Sequence, residues 1–288
     1  MAKVLKTDPI IAEDIKEHVL KESDFAFELN VLSSLKAMGL AVAHSGTYTD
    51  PATGKPRQFD IRAEKHHGCD ALRMAVECKN LQPYNPLIVL CVDRPNSDAF
   101  YEVCFSSRFR RSEPNLEIFK AIHSLYRFNE PVGKSTVQLA FAPSTEKGVE
   151  KKAVLDDSEV YDKWAQAVSS CSDLVKFAEE DGPRKSQDCS ACLIVPVLVI
   201  PNGTLWSCRF NSSGATDEPE VVDHVSMLID KSYALSIYTP KMEMRLSHLE
   251  IVTPNGLASL VDRLWTSGLL TPEVQGAAKQ FGKRLSAH

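Results

Sequence analysis

The predicted fold rests on two stretches of the sequence, Arg57-Gln58-Phe59-Asp60-Ile61-Arg62 and Ala75-Val76-Glu77-Cys78-Lys79-Asn80. In and around both, apolar residues alternate with polar ones, which is the pattern of a half-buried β-strand. Asp60 lies on the polar face of the first strand, and Glu77 and Lys79 lie on the polar face of the second. The sequence therefore predicts two strands that follow each other along the chain.

The connection between these strands indicates how they pair. Residues 65–71 carry a glycine and several charged side chains, and seven residues suffice for an antiparallel hairpin. Side chains two apart on a strand share a face and lie about 6.6 Å apart. Pairing would gather Asp60, Glu77 and Lys79 on one sheet surface. Two carboxylates and an ammonium in that arrangement suit the magnesium-dependent cleavage of a phosphodiester.

The segment before the strands predicts a helix. Residues 10–38 contain no Gly or Pro, Ser23 or Asp24 could cap a second helical segment, and Gly39 ends the helix. The apolar stripe consists of Phe25, Leu29, Leu32 and Leu35. Glu28 falls inside this stripe, where a carboxylate is costly unless it is paired or binds metal. Glu28 is thus a candidate site residue, or a boundary residue that reaches solvent or pairs with Lys36.

These residues together resemble the PD-(D/E)XK, or restriction-endonuclease-like, nuclease superfamily. Its motif is an Asp near a strand end, then a Glu-x-Lys on the next strand, often preceded by a helical Glu. Asp60 matches the Asp, Glu77 and Lys79 match the Glu-x-Lys, and Glu28 is the candidate for the helical Glu. Phe59 stands where the family motif has Pro. The resemblance covers roughly residues 10–145.

The resemblance implies an α/β fold with a restriction-endonuclease-like core (helix, mixed sheet, helix) and a C-terminal strand-and-helix extension. It also implies Mg²⁺-dependent hydrolysis of DNA, with Mn²⁺ as a substitute, in defence against foreign DNA or in DNA processing. RNA as substrate and a homodimer stay open. Asp60 and Glu77 would hold the metal, helped by Glu28 and the Cys78 carbonyl. Lys79 would place or deprotonate the attacking water, and Gln58 would orient water or phosphate.

Composition sets wider bounds on the class of protein. The chain has 288 residues, of which 43% are hydrophobic and 25% charged, as in soluble globular proteins. No apolar run approaches the length of a membrane span and the N-terminus lacks a signal-peptide core, so we expect a cytoplasmic protein without membrane contact. The eight cysteines follow no framework spacing, which favours reduced thiols without disulfides or stoichiometric zinc.

The net charge of −5 does not indicate a nucleic-acid-binding protein, but phosphate contact needs only a local basic surface. Arg108, Arg110 and Arg111 are the candidates for such a surface, because arginine pairs well with phosphate. The alternative is a solvated turn anchored by Phe105 and Phe109. Lys134 is a further candidate phosphate contact at the sheet edge.

The rest of the chain suggests three regions, with boundaries at 1–145 for the nuclease core, 146–190 for a helix and linkers, and 191–288 for an α+β extension or second lobe. The first adds a central apolar strand at 87–92, a helix at 113–126 and a strand at 136–142. The second has linkers at 143–152 and 184–190 around a helix that begins at Asp156. The third has a hairpin, 193–200 with 204–210, around Asn202-Gly203. Strands near 221–228, 232–239 and 247–252 and a helix capped by Thr253 complete it.

Two other functions fit the sequence. One is a catalytically silent nuclease fold that acts as a nucleic-acid-binding or assembly module. The other is a zinc or thiol protein that uses Cys189 and Cys192, which form a single C-x-x-C motif. Because structural zinc needs four ligands, Cys171 and Cys208 would have to complete the set.

Overall fold

The computed structural model describes residues 8–107, 115–141, 153–155, 158–180, 189–214, 216–235 and 242–286. Its helices are α1 (Ala12–Glu22), α2 (Asp24–Ala37), α3 (Ser158–Glu180), α4 (Pro254–Arg263) and α5 (Pro272–Ser286), with a π-helical segment at Leu264–Leu269. Its strands β1 to β8 are Ala41–His44, Thr47–Thr49, Pro56–Gln58, Ile61–His67, Asp70–Cys78, Leu87–Asp93, Phe100–Ser107 and Asn115–Ile122. Strands β9 to β15 are Pro131–Phe141, Ala153–Leu155, Ser190–Val199, Leu205–Phe210, Glu220–Val221, His224–Ala234 and Glu243–Val252.

One large mixed sheet runs through the described chain. Its order is β1-β4-β5-β11-β15-β14-β9-β6-β12-β13, while β7 pairs with β11 and β8, and β10 pairs with β9. Strands β5, β11 and β15 run parallel, and β4 runs antiparallel to β5. Strands β2 and β3 form a separate small sheet. The predicted α/β class is confirmed, and the C-terminal third adds its strands to the sheet that contains β4 and β5.

Helices cover both faces of this sheet. Val31 and Leu35 of α2 share a core with residues of α4, α5 and the π-helical segment on one face. On the other face, α3 packs across β5 and β11 through Cys171, Leu174 and neighbouring residues. A central strand such as β5 is therefore buried on both sides, which is why its polar residues are also shielded from water.

The predicted hairpin of the two deciding strands is confirmed. Strand β4 pairs antiparallel with β5, with Ile61 opposite Val76 and His67 opposite Asp70. The connection is shorter than residues 65–71, because the strands continue to a turn at Gly68–Cys69. Gly68 has a φ of 60°, which a glycine adopts without the steric cost of a side chain.

The N-terminal helix prediction is correct in outline and wrong in its buried face. The Ser23 hydroxyl caps α2 by accepting a hydrogen bond from the Phe25 amide, so the helix is interrupted there as predicted. Phe25 and Leu29, however, are 53% and 40% exposed. The buried face of α2 consists of Glu28, Val31 and Leu35, because the helix is rotated relative to the predicted stripe.

The helix predicted at 113–126 is wrong. Residues Asn115–Ile122 form strand β8, which pairs antiparallel with β7 along its whole length. Phe119 and Ala121 pack toward one core of the sheet, and Leu116 and Ile118 pack toward the other. Both faces of this segment are thus apolar, and a two-sided strand of this length gives the same apolar spacing as a short helix.

The hairpin predicted between 193–200 and 204–210 is also wrong. Strand β11 pairs with β5, β7 and β15, whereas β12 pairs with β6 and β13. The turn itself exists, since the Thr204 amide donates to the Pro201 carbonyl. Only Gly203 has a positive φ there, whereas a type I′ hairpin turn needs positive φ at both central residues. The chain therefore leaves the turn toward a different neighbour.

Other expectations have mixed outcomes. Helix α3, strand β9 and the helix after Thr253 are confirmed, although the Thr253 side chain makes no capping hydrogen bond. The strands predicted near 221–228 and 232–239 are largely one strand, β14, with an irregularity between Leu228 and Lys231. Strand β6 lies near the β13 edge of the sheet and not in its centre. The linker at 143–152 and most of that at 184–190 lie outside the described residues. Within the described chain, no helix has the length and apolarity that crossing a membrane requires.

Candidate active site

Asp60 and Glu77 face each other where β4 begins and β5 ends. The Asp60 amide donates to Glu77 Oε1 at 3.3 Å, and Asp60 Oδ2 accepts a hydrogen bond from the Cys78 amide at 2.8 Å. Val76 and Cys78 belong to the core on the α2 face, so the alternation of the strand points Glu77 to the α3 face. The predicted juxtaposition of the two carboxylates is present in the structure.

Lys163 of α3 completes this pair. Its Nζ lies 2.8 Å from Asp60 Oδ2 and 3.5 Å from Glu77 Oε2. Helix α3 is fixed over the hairpin because Arg62 donates from Nη2 to the Ser170 carbonyl at 2.9 Å. Among the described residues, the ammonium that contacts both carboxylates is therefore that of Lys163, whereas that of Lys79 contacts Asp24.

Lys79 lies at the rim of the same site. Its Nζ is 3.4 Å from Asp24 Oδ2, and the Asn80 amide donates to Asp24 Oδ1 at 2.7 Å. These contacts tie the first residue of α2 to the end of β5. One helical turn later, Glu28 lies on the same side of the helix, with Oε2 at 3.2 Å from His44 Nε2. His44 thus holds Glu28, whose carboxyl lies within electrostatic reach of Asp60.

Burial and mutual repulsion decide the protonation of these groups. Burial, reinforced by the charge of Asp60, raises the pKa of Glu77 from 4.5 to about 9. The same two causes raise the pKa of Glu28. Burial alone would lower the pKa of Lys163, but Asp60 and Glu77 outweigh it and the pKa is raised. These directions favour an ionised Lys163 and a protonated Glu77.

The donor set fits a hard divalent cation. Asp60 and Glu77 offer carboxylate oxygens, and Glu77 Oε2 is buried without a hydrogen-bond partner among the described residues. The described chain contains no ready-made group of three His, Cys, Asp or Glu ligands. Mg²⁺ at phosphoryl sites is commonly held by one or two carboxylates, and waters and phosphate oxygens complete its coordination. Asp60 and Glu77 could supply the two carboxylates.

The other predicted site residues lie elsewhere or outside the described chain. Gln58 belongs to the small sheet, is exposed, and donates to the Ser45 carbonyl at 3.5 Å. Lys134 lies on β9, four places from β5 in the sheet, and forms an ion pair with Asp98. Arg108, Arg110 and Arg111 lie outside the described residues.

The two cysteines of the C-x-x-C motif do not meet. Cys189 packs against the core on the α2 face of the sheet, and Cys192 belongs to the core on the α3 face. Residues three apart at a strand point to opposite sides, so these thiols cannot ligate one ion together in this fold.

Sequence reasoning missed Lys163, Asp24 and His44. Lys163 lies three residues after Val160 and four before Ala167, both of which are fully buried. A charged residue in a core-facing stripe had already singled out Glu28, and the same signal was present for Lys163. His44 carries no such signal, because its role depends on how β1 meets α2.

Comparisons with protein-family models, with curated proteins and with solved structures find no match to this chain.

Proposed function

We propose that the protein is a metal-dependent nuclease that hydrolyses phosphodiester bonds of DNA. The observation that carries this proposal is the convergence of Asp60, Glu77 and Lys163, with Glu28 beside them. A buried carboxyl with a raised pKa, placed beside a second carboxylate and an ammonium, is typical of catalytic sites. Defence against foreign DNA and DNA processing are the roles that the family resemblance suggests for such an enzyme.

The order of elements supports the same proposal. The resemblance implies a core of one helix, three strands, a second helix and a further strand. Helix α2, strands β1, β4 and β5, helix α3 and strand β11 follow that order and pack around the site. In this assignment residues 87–155 are an insertion, and the core extends beyond residue 145.

Asp60 and Glu77 would hold Mg²⁺, with Mn²⁺ as a substitute, and Glu28 would add a direct or water-mediated contact. When bound, the metal would polarise the scissile phosphate and acidify the attacking water. Glu77 must lose its proton to act as a ligand, so cation binding should release protons and strengthen as the pH rises. The Cys78 amide keeps Asp60 oriented by its hydrogen bond to Oδ2.

We assign to Lys163 the role that the motif alone would give to Lys79. Its ammonium contacts both carboxylates and would stabilise negative charge that develops on the phosphate oxygens. Lys79 instead pairs with Asp24 and helps to fix the start of α2. The lysine that acts in this site would thus come from a helix and not from the Glu-x-Lys strand.

The test is a cleavage assay with purified protein on plasmid, linear duplex, single-stranded DNA and RNA. Each substrate is incubated with Mg²⁺, Mn²⁺ or a chelator. We expect metal-dependent cleavage of DNA that Asp60→Asn abolishes, and Asp162→Asn, next to Lys163 in the sequence, serves as the matched carboxylate control. Cleavage of RNA alone would change the substrate class, and equal cleavage by wild type and Asp60→Asn would show a contaminant.

One observation favours a second candidate function. Because the ammonium of Lys163 already compensates the negative charge of Asp60, the site needs no added cation to balance that charge. In a catalytically silent nuclease fold that binds nucleic acid or assembles with other chains, the ion pair of Lys163 with Asp60 would be sufficient, because such a protein needs no bound metal. A chain that binds DNA with a metal-independent affinity, and whose Tm does not respond to Mg²⁺, would support this second candidate.

A further inference from the structure

Helix α1 packs against little of the described chain. Its residues 12–19 are exposed apart from half-buried Asp14, and none of them belongs to one of the hydrophobic cores. An isolated helix shorter than about 12 residues is marginal in water, because its few hydrogen bonds do not offset the entropy lost in nucleation. A helix of 11 residues such as α1 therefore needs a surface to pack against.

The sequence of α1 carries the apolar stripe that such packing uses. Ile11, Ile15 and Val19 recur every four residues and are 55%, 57% and 43% exposed. Residues four apart share a face of a helix, so these three side chains form one row. The Ile11 amide donates to Asp14 Oδ2 at 3.1 Å, which satisfies one of the free amides at the start of the helix. The row thus belongs to a capped, amphipathic helix.

Exposed large apolar side chains are concentrated in this part of the chain. The described residues contain twelve of them, and six lie within residues 10–29, namely Ile10, Ile11, Ile15, Val19, Phe25 and Leu29. A concentration of this kind marks an interaction surface. A stable protein interface involves about 20 or more residues of each partner, which is the length of this segment. Helix α1 and the exposed face of α2 together therefore have the extent of an interface.

The charges of α1 are unfavourable for two kinds of partner. The helix contains two lysines and four acidic residues, a net charge of 2 − 4 = −2 with histidine neutral. Helices that lie on membranes carry Lys and Arg on their polar face, and contact with nucleic acid needs a local excess of positive charge. An apolar protein surface fits α1 better than an anionic lipid surface or a polyanion.

We propose that α1 is a dimerisation helix, which pairs antiparallel with α1 of a second copy of this chain. The apolar row is symmetric about Ile15, so it is complementary to itself across a two-fold axis. Such an axis would place Ile15 of one copy against Ile15 of the other, and Ile11 against Val19. The exposed Phe25 and Leu29 of α2 would extend the contact beyond α1.

The charge distribution of α1 favours the antiparallel direction. Glu13 and Asp14 lie in the first turn, whereas His18 and Lys21 lie in the second half of the helix. An antiparallel pair would set the acidic turn of one copy alongside the half of the other that contains His18 and Lys21. It would also oppose the two helix dipoles. A parallel pair would bring the two acidic turns together.

Dimerisation does not depend on the proposed nuclease activity, because α1 contains none of the residues assigned to that site. The two features are connected through the chain, since Ser23 joins α1 to α2 and α2 carries Asp24 and Glu28. Asp60→Asn should therefore dimerise like wild type. Loss of cleavage and loss of dimerisation are thus separate results.

The experiment is sedimentation velocity of the full chain from low to high micromolar concentration. We expect a monomer–dimer equilibrium that shifts with concentration and that Ile15→Glu weakens at least about tenfold, because it sets two carboxylates against each other at the two-fold axis. Phe177→Glu replaces an exposed apolar residue of α3 and should leave the equilibrium unchanged. Ile15 is exposed, so Ile15→Glu should fold normally, which far-UV circular dichroism checks.

Cysteine cross-linking tests the direction of pairing. Cys69 is exposed, so the variants are made in a Cys69→Ser background. Chains with Ile11→Cys, mixed with chains with Val19→Cys, should cross-link on oxidation with copper phenanthroline. Neither variant alone should do so, because an antiparallel pair separates like residues at these positions by about 12 Å along the helix axis. Cross-linking of each variant with itself would show a parallel pair and contradict the proposal.

Three results in solution would overturn the proposal. One is a protein that stays monomeric at every concentration. Another is a dimer that Ile15→Glu leaves intact, which would place the interface elsewhere. The third is a monomer whose Tm falls in Ile15→Glu, which would show that the chain itself covers the apolar row.

Discussion

At the scale of single residues, Glu77 is a carboxyl group whose ionisation is unfavourable in the folded protein. It is fully buried beside Asp60, and its pKa is raised to about 9. The folded state therefore keeps a proton that the unfolded chain loses near the ordinary value of 4.5. The contribution of Glu77 to the free energy of unfolding is fully present at low pH and is lost progressively as the pH rises from about 4.5 to about 9.

Glu77→Gln should remove the free-energy cost of ionising a buried carboxyl group. Because glutamine keeps the shape without the charge, we expect the variant to be more stable than wild type at pH 8, with the difference shrinking toward pH 5. Urea unfolding at both pH values measures this, with Glu117→Gln as a control at an exposed ion pair. A difference that grows toward low pH would show that the pKa of Glu77 is not raised.

At the scale of elements, the start of α2 connects the helix to the site. Ser23 caps the helix, and Asp24 binds the Asn80 amide. Ser23→Ala should cost about 1 kcal/mol of unfolding free energy, as lost caps do. Ser33→Ala removes a hydroxyl that bonds back to the Leu29 carbonyl inside the same helix, and should change stability by less than about 0.5 kcal/mol. Denaturant unfolding of both variants compares them, and equal effects would contradict the capping role.

The packing of α4 offers a second comparison between elements. A Cβ at Gly256 would meet the Asp223 carbonyl well inside van der Waals contact, whereas a Cβ at Gly276 of α5 meets nothing. Gly256→Ala should therefore destabilise the protein by at least about 1 kcal/mol. Gly276→Ala should stabilise it by up to about 1 kcal/mol, because alanine favours helix. Thermal unfolding of the pair tests how closely α4 approaches the turn before β14.

At the scale of the whole molecule, local patterns predicted some parts of the fold well and others badly. The β4–β5 hairpin followed from the alternation of apolar and polar residues. Glu28 is buried, although Phe25 and Leu29 of the stripe that singled it out are exposed. Strand β8 could not be predicted, because apolar residues on both of its faces have the same spacing as the apolar face of a helix. Only the pairing with β7, which local sequence does not show, determines that it is a strand. The partner of β11 also could not be predicted, since a turn at Asn202-Gly203 does not determine which strand the chain joins next.

The candidate site shows the same limit. Asp60 and Glu77 come from one hairpin, so their meeting could be read from the sequence. Lys163 lies more than 80 residues further along and reaches them only because α3 crosses the sheet above β5. The Glu-x-Lys motif predicts Lys79 as the lysine of the site because it follows Glu77 closely in sequence. In the fold, Lys163 contacts the two carboxylates instead.

The most direct test of the central claim is the rate of plasmid cleavage, with Mg²⁺ at pH 8, by three lysine variants. Lys163→Met should lose at least about 100-fold in rate, since it removes the ammonium beside both carboxylates. Lys176→Met, an exposed lysine of the same helix paired with Asp173, should cut at the native rate. Lys79→Met should lose less than about tenfold. If Lys163→Met cuts at the native rate while Lys79→Met is inactive, the assignment of Lys163 is wrong, and if wild type cuts no nucleic acid, the proposed function is wrong.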